Sequence, residues 1–170
     1  MNEKLNIVII FAGDFPIGGA YSNRMHGFAK GFIELGHTVH FLIIYPGHKK
    51  FDENHLEGEY DKVKYLNLSR ESIIPDKIVK KIKTLIIGIK NLLQYLKTEN
   101  NKNKIDVVIS GMDLFLPSFL LSFFCKKHKI QFYREYNEYP MQELEYKRKI
   151  PIITEIHYKI FFNLFDGLLL

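Results

Sequence analysis

One cysteine, Cys125, and no tryptophan occur in 170 residues. A single thiol excludes an internal disulfide framework and any zinc site built from several cysteines. A reducing, cytoplasmic setting is therefore expected. The seven histidines are scattered, and none pairs with a carboxylate cluster at ligand spacing. Neither a metal nor another cofactor is expected. Long apolar runs are also missing. The longest, "LFLPSFLLSFF" from Leu114 to Phe124, contains Pro117 and falls well short of the ~20 residues that span a bilayer. The start, "MNEKLNIVIIFAGDF", places Glu3 ahead of its apolar core and has no small-residue cleavage site, so no secretory signal is expected. Charge is nearly balanced, with 24 Lys and Arg against 19 Asp and Glu, a net +5. That surplus suits an anionic small molecule, an anionic membrane surface or nucleic acid, and selects none of them.

What is present is enough apolar residue for a core, 46% of the chain, which argues against disorder. The length suits one domain spanning residues 1–170. "LNIVIIF" from Leu5, "TVHFLII" from Thr38, "IDVVIS" from Ile105 and "IQFYRE" from Ile130 are runs of the kind found in buried parallel strands. "KVKYLNL" reads as a short strand, and "DGLLL" from Asp166 as a last strand beginning. Between them lie helical patterns. Met25, Phe28, Ala29 and Phe32 share one face, and Gly36 is a stop signal. Gly27 and Gly31, four apart, would let this helix approach the sheet. Ile78, Ile82, Leu85, Ile86, Ile89, Leu93 and Leu96 form a stripe expected to face the core, opposite Lys80, Lys83, Lys90, Gln94 and Lys97. A third helix, residues 113–128, is apolar nearly all round and is expected to be deeply packed. A fourth is expected from Pro151 to Leu164. Tyr45 to Lys62 reads as a polar connection. This alternation predicts an α/β fold, a Rossmann-like parallel sheet with helices on both faces.

The segment "FPIGGAYSNRMHGFAKGF", from Phe15, carries Gly18 and Gly19 between the first strand and first helix. In open α/β sheets ligands sit beyond the carboxyl ends of the strands. Glycines admit close backbone approach, and a helix N-terminus offers free N–H groups, so phosphate or a sugar hydroxyl would fit. The bland alternative is a tight turn. The spacing is not G-x-G-x-x-G, no acidic residue ends the second strand, and no G-x-x-x-x-G-K-[ST] occurs. A dinucleotide site therefore has little support, and a nucleotide triphosphatase loop has none.

The run "GGAYSNRMHGFAKGFIELGHTVHFL" resembles the first βαβ unit of family-4 glycosyltransferases, which have the two-domain GT-B architecture. Gly18, Gly19, Gly27, Leu35, Gly36 and His37 stand at the matching places. "REYNEYP", Arg134 to Pro140, and "FDGLLL" resemble later segments of the same domain, except that many relatives carry histidine where Glu135 stands. The resemblance implies an N-terminal domain that binds the acceptor. A second domain, which binds the nucleotide-sugar donor and carries a glutamate pair, would lie beyond Leu170. Transfer would retain anomeric configuration, and the 170-residue chain alone is expected to be inactive, as an isolated first domain or a truncated frame.

The resemblance places Gly18 and Gly19 beneath the donor diphosphate. Ser22, Asn23 and Arg24 open a helix facing the same cleft and are acceptor-binding candidates. Arg24 would hold an anion with its planar fork, or be a surface arginine near a carboxylate. Glu135 would orient the acceptor hydroxyl or take its proton. Arg134, Asn137 and Glu138 would bind acceptor, or form ion pairs that order a loop. Asp113 is a further acceptor-side candidate or only a helix N-cap. His26, His37 and His40 read as structural. The lysine face at 80, 83 and 90 reads as solvated. A minority reading has it touch anionic lipid together with Lys126 and Lys127, at the inner membrane face, which suits a lipid-linked acceptor. The rivals are a nucleotide- or phosphate-binding module without transferase activity, and a half-protein completed by a partner chain. Nucleic acid is not expected as a partner, because the aromatics lie in apolar runs.

Overall fold

A computed structural model describes residues 3–48, 56–112, 114–136 and 159–169. Strand β1 (Asn6–Gly13) leads to helix α1 (Ala20–Glu34) and strand β2 (Thr38–Pro46). Strands β3 (Glu57–Tyr60) and β4 (Val63–Asn67) precede helix α2 (Ile78–Lys102) and strand β5 (Val107–Ser110). Helix α3 (Phe115–His128), strand β6 (Gln131–Glu135) and strand β7 (Gly167–Leu169) complete the order. Residues 159–162 are helical; the first part of the helix expected from Pro151 lies outside the described residues.

The seven strands form one sheet in the order β3-β4-β2-β1-β5-β6-β7. All neighbours are parallel except β3 and β4. Buried side chains alternate along β1. Val8 and Ile10 join Leu92, Leu96, Leu121 and Cys125 beneath α2 and α3, while Ile7, Ile9 and Phe11 join Met25 and Ala29 beneath α1. Helices thus cover both faces, and the expected Rossmann-like α/β sheet is what forms. From β1 the chain builds outward through β2 and β4 on one side, then crosses to β5 on the other. The β1/β5 junction is therefore the topological switch point, where such sheets hold ligands.

Two punctuation signals become fasteners. Gly36 adopts φ +90° after α1, with Gly36 N–H donating to Ile33 O and His37 N–H to Phe32 O, a glycine-closed helix end. His37 Nδ1 then accepts the Leu5 N–H at 3.2 Å, which ties the helix end to the start of β1. Asp166 Oδ2 accepts the Phe132 N–H at 2.8 Å and so sets β7 beside β6.

Four expectations need correcting. β3 lies inside the stretch read as an irregular connection; its "EGEY" is exposed throughout, so no apolar alternation marks it. Gly27 and Gly31 do not bring α1 to the sheet, because a Cβ on either would meet no neighbour within 4 Å. The close approach belongs to Gly88 on α2, where a Cβ would overlap Ile44 O. That contact turns α2. Its buried face is Thr84, Gly88, Leu92 and Leu96, and Ile78, Ile82 and Ile86 of the expected core stripe are exposed. α3 is likewise not deeply packed all round. It buries Pro117, Ser118, Leu121, Ser122 and Cys125 and exposes Phe119 and Phe123.

Candidate functional site

The loop from Asp14 to Gly19 leaves the carboxyl end of β1 and is tied down at both ends. Phe15 is buried and stacks on Phe41, with centroids 4.3 Å apart. Ser22 Oγ donates to Asp14 O at 2.6 Å. A Cβ on Gly18 would overlap that hydroxyl and that carbonyl, and a Cβ on Gly47 would overlap the Asp14 carboxylate. Gly18 is thus glycine because the loop folds over itself. Gly19 is different: it is the N-cap of α1, with extended backbone and no side-chain cap, and the space where its Cβ would stand is empty to 4 Å. The start of α1 thus has no side-chain cap on its first N–H groups.

From this helix start Arg24 reaches across the switch point. Its Nη2 lies 2.6 Å from Glu135 Oε1 at the carboxyl end of β6. The arginine side chain is 33% exposed and the carboxylate 4%. Arg24, after the Gly18–Gly19 bend, and Glu135, of the Arg134–Pro140 segment singled out in the sequence, therefore meet on one edge of the sheet, while residues 137–140 of that segment lie outside the described residues. Burial pushes the Glu135 carboxyl above its ordinary range, with Arg24 and then Arg134 pulling the other way. A carboxyl so held gives up its proton closer to neutral pH than a free glutamate, which suits proton exchange with a hydroxyl.

Tyr21 completes the cluster, and the sequence reading passed over it. Its ring stacks on Phe11 at 4.9 Å, and Arg24 lies over it at 5.9 Å. Its hydroxyl sits against Gly111, where a Cβ would overlap it. Burial, then the Glu135 charge, raises its pKa well above the ordinary value, so it stays protonated. The available signal was spacing: Tyr21 and Arg24 stand three apart on one helix face. Gly111, directly after β5, was equally readable as a position where another group approaches.

The remaining candidates fall elsewhere or outside. Arg134 is buried among rings, 4.4 Å from the Phe161 centroid, 4.7 Å from Tyr136 and 5.8 Å from Phe165. It follows Phe132 by two residues and shares that face of β6, whereas Glu135 follows Tyr133 on the α1 face. Ser22 is buried against Asp14, and Asn23 is exposed on the outer side of α1. Asp113, Asn137 and Glu138 lie outside the described residues. Among the described residues no group of three or more His, Cys, Asp or Glu is placed to hold a metal ion.

The fold is shared with UGT2 of Phytolacca americana, a UDP-glycosyltransferase. Compared with that protein complexed with UDP-2fluoro-glucose and pterostilbene, the TM-score is 0.55 at 17% identity, over 92% of this chain and 36% of that one. With its apo form the score is 0.53 at 16% identity, over 82% and 31%. This chain therefore spans about a third of the length of that protein, and the likeness is one of fold. No family model matches the sequence, and no curated protein sequence matches it.

Proposed function

We propose that this chain is the acceptor-binding lobe of a GT-B glycosyltransferase of the family-4, retaining kind. Such an enzyme moves a sugar from a nucleotide-sugar donor to a saccharide or lipid-linked acceptor. One observation carries the reading: Arg24, four residues into the helix that follows the Gly-Gly bend, meets Glu135 at the end of β6 at 2.6 Å. The contact supports reading Arg24 as the anion-holding group and Glu135 as the proton-exchanging carboxyl, beside the N-terminus of α1 at the switch point.

In this reading Gly19 leaves room for a donor diphosphate above α1, and Arg24 meets its charge. Glu135 holds the acceptor hydroxyl and takes its proton as the new glycosidic bond forms. The Tyr21 ring supports the Arg24 guanidinium, and Ser22 holds the loop. Asn23, Asp113, Asn137 and Glu138 stay in the proposal as acceptor contacts, with a cytoplasmic setting. Arg134 is reassigned to supporting the strand end. The donor's sugar and base would be held by a second lobe, so this lobe alone binds donor weakly and does not turn over.

Titration of the chain with UDP-glucose, GDP-mannose and NAD, followed by amide NMR, tests this. Weak shifts confined to residues 18–24, 111 and 135, and abolished in Gly19→Val, are expected for the sugar nucleotides. Tight binding of NAD by the chain alone would replace the reading with that of a self-sufficient dinucleotide module.

A further inference from the structure

Helix α2 packs on β2, where Gly88 meets Ile44 O. Strand β4 lies outboard of β2. Between the flank of α2 and the end of β4 runs a groove of about 320 Å³, at the lower end of the ~300–1,000 Å³ of small-ligand sites. Leu66 and Leu68 supply its apolar surface. Its other wall is a stripe of α2: Asn91, Gln94, Tyr95 and Thr98, at i, i+3, i+4 and i+7. Lys90 and Lys97 adjoin this stripe in sequence, yet none of its four members is charged. A merely solvated helix face ordinarily carries charge.

The groove does hold one charge among the described residues, and the chain is built around it. Arg70 lines the groove at φ +61°, a left-handed backbone that arginine rarely adopts. The Asn67 side chain clasps the turn on both sides of it. Asn67 Oδ1 accepts from the Ser69 N–H at 3.0 Å and the Ser69 hydroxyl at 2.7 Å, while Asn67 Nδ2 donates to Glu71 O at 2.9 Å. Asn91 Nδ2 donates to Leu68 O at 2.7 Å and ties the same turn to α2. The Tyr95 hydroxyl is held by His40 Nδ1 at 2.8 Å. Two wall residues are therefore fixed before any ligand arrives, which lowers the cost of binding. No ion pair holds Arg70 among the described residues, and no carboxylate among them lines the groove.

We infer that this groove is a second ligand site, for a pyranose that carries one anionic substituent, a carboxylate or a phosphate. The planar fork of Arg70 takes the anion. Asn91 and Gln94 each present a donor and an acceptor, the pairing that neighbouring sugar hydroxyls need, and Thr98 adds a hydroxyl. Leu66 and Leu68 suit the C–H face of the ring. A bare inorganic anion would leave the amide stripe unused, and an apolar ligand would cover the guanidinium without a partner. β4 stands four strands from β6, ~19 Å away at ordinary strand spacing, so the groove shares no residue with the Arg24–Glu135 rim. The inference does not rest on the sugar-transfer reading. A chain that binds a sugar acid here but no sugar nucleotide at the rim would keep one and remove the other.

The test is amide NMR of the 170-residue chain titrated with glucuronic acid, glucose 6-phosphate, glucose and inorganic phosphate. Shifts at residues 66–70 and 91–98 are expected with at least one of the two charged sugars. Glucose and phosphate should each bind at least tenfold more weakly than that sugar. Whichever charged sugar binds tighter names the anionic group and supports the site. Arg70→Gly keeps the left-handed backbone at no steric cost, so it should fold at least as well as the parent, yet bind roughly tenfold or more weakly. Gln94→Ala, at an exposed position, should weaken binding several-fold. Three results would overturn the inference: no shift in the groove with either charged sugar, glucose or phosphate binding as well as they do, or an Arg70→Gly variant that binds like the parent. The last would make Arg70 a turn residue and nothing more.

Discussion

A methyl group added at Gly18 would overlap the Ser22 hydroxyl and the Asp14 carbonyl, whereas one added at Gly19 would meet no atom within 4 Å. Gly18→Ala is therefore expected to lower stability by about 1–3 kcal/mol, read by urea denaturation. Gly19→Ala should leave stability within about 0.5 kcal/mol while reducing any ligand shifts near α1. If both were equally destabilising, the open space above Gly19 would not exist in solution. Glu135 gives a second residue-scale expectation. Burial raises its folded value above the ordinary 4.5. Its contribution to stability is then fullest below that ordinary value and is lost as pH rises through the folded one. Glu135→Gln, which keeps the shape without the charge, should melt at or above the parent temperature at pH 7, and the gap should close as pH falls toward 4.5. A clear loss at pH 7 would show that the Arg24 contact outweighs the cost of burial. Cys125 is simpler. Burial, with a smaller part from Asp166, pushes its thiol up to about 12, so Ellman's reagent at pH 8 should react only after denaturant is added.

At the scale of elements, the glycines of the two long helices exchange roles relative to the sequence reading. Gly88→Ala would gain about 1 kcal/mol of helix propensity, but its Cβ would overlap Ile44 O. Overpacking costs about 1–3 kcal/mol, so a net loss is expected, larger for Gly88→Val. Gly27→Ala meets open space and should stabilise by about 0.5–1 kcal/mol. Thermal melts of the two variants shifting in the same direction would contradict this packing. The central strands were legible because parallel strands buried on both faces are continuous apolar runs, as in "NIVIIFAG". β3 was not, because "EGEY" is an exposed edge strand held by pairing with β4. The buried face of α2 was misread for a physical reason. Hydrophobic periodicity assumes that bulk points inward, and here Thr84 and Gly88 set the contact distance instead.

For the whole molecule, the residues that signalled the resemblance divide into fasteners and chemistry. His37 fixes the helix end to β1, Asp166 fixes β7 to β6, and Gly18 lets its loop fold. Those report the fold, which is why the fold was readable at an identity of 17% to a solved structure that shares it. The Arg24–Glu135 pairing joins residues more than a hundred positions apart and needed the sheet order to reveal it, although both partners were named as candidates. Tyr21 was hidden because its hydroxyl matters only beside Gly111, on a different strand end. In the proposed reading this rim supplies one side of a reaction. Lowering the barrier to sugar transfer requires the donor to be aligned and its leaving diphosphate stabilised from the opposite side, contributions worth several kcal/mol. This chain spans 36% of the solved glycosyltransferase whose fold it shares. The 170-residue chain incubated with UDP-glucose and a panel of saccharide acceptors is therefore expected to release UDP no faster than buffer does. A sequence extending past Leu170 with a second α/β lobe should restore turnover, and Glu135→Gln in that longer protein should lower kcat by roughly a hundredfold or more. Turnover by the short chain, or an unchanged kcat in the glutamine variant, would remove the rim from the chemistry.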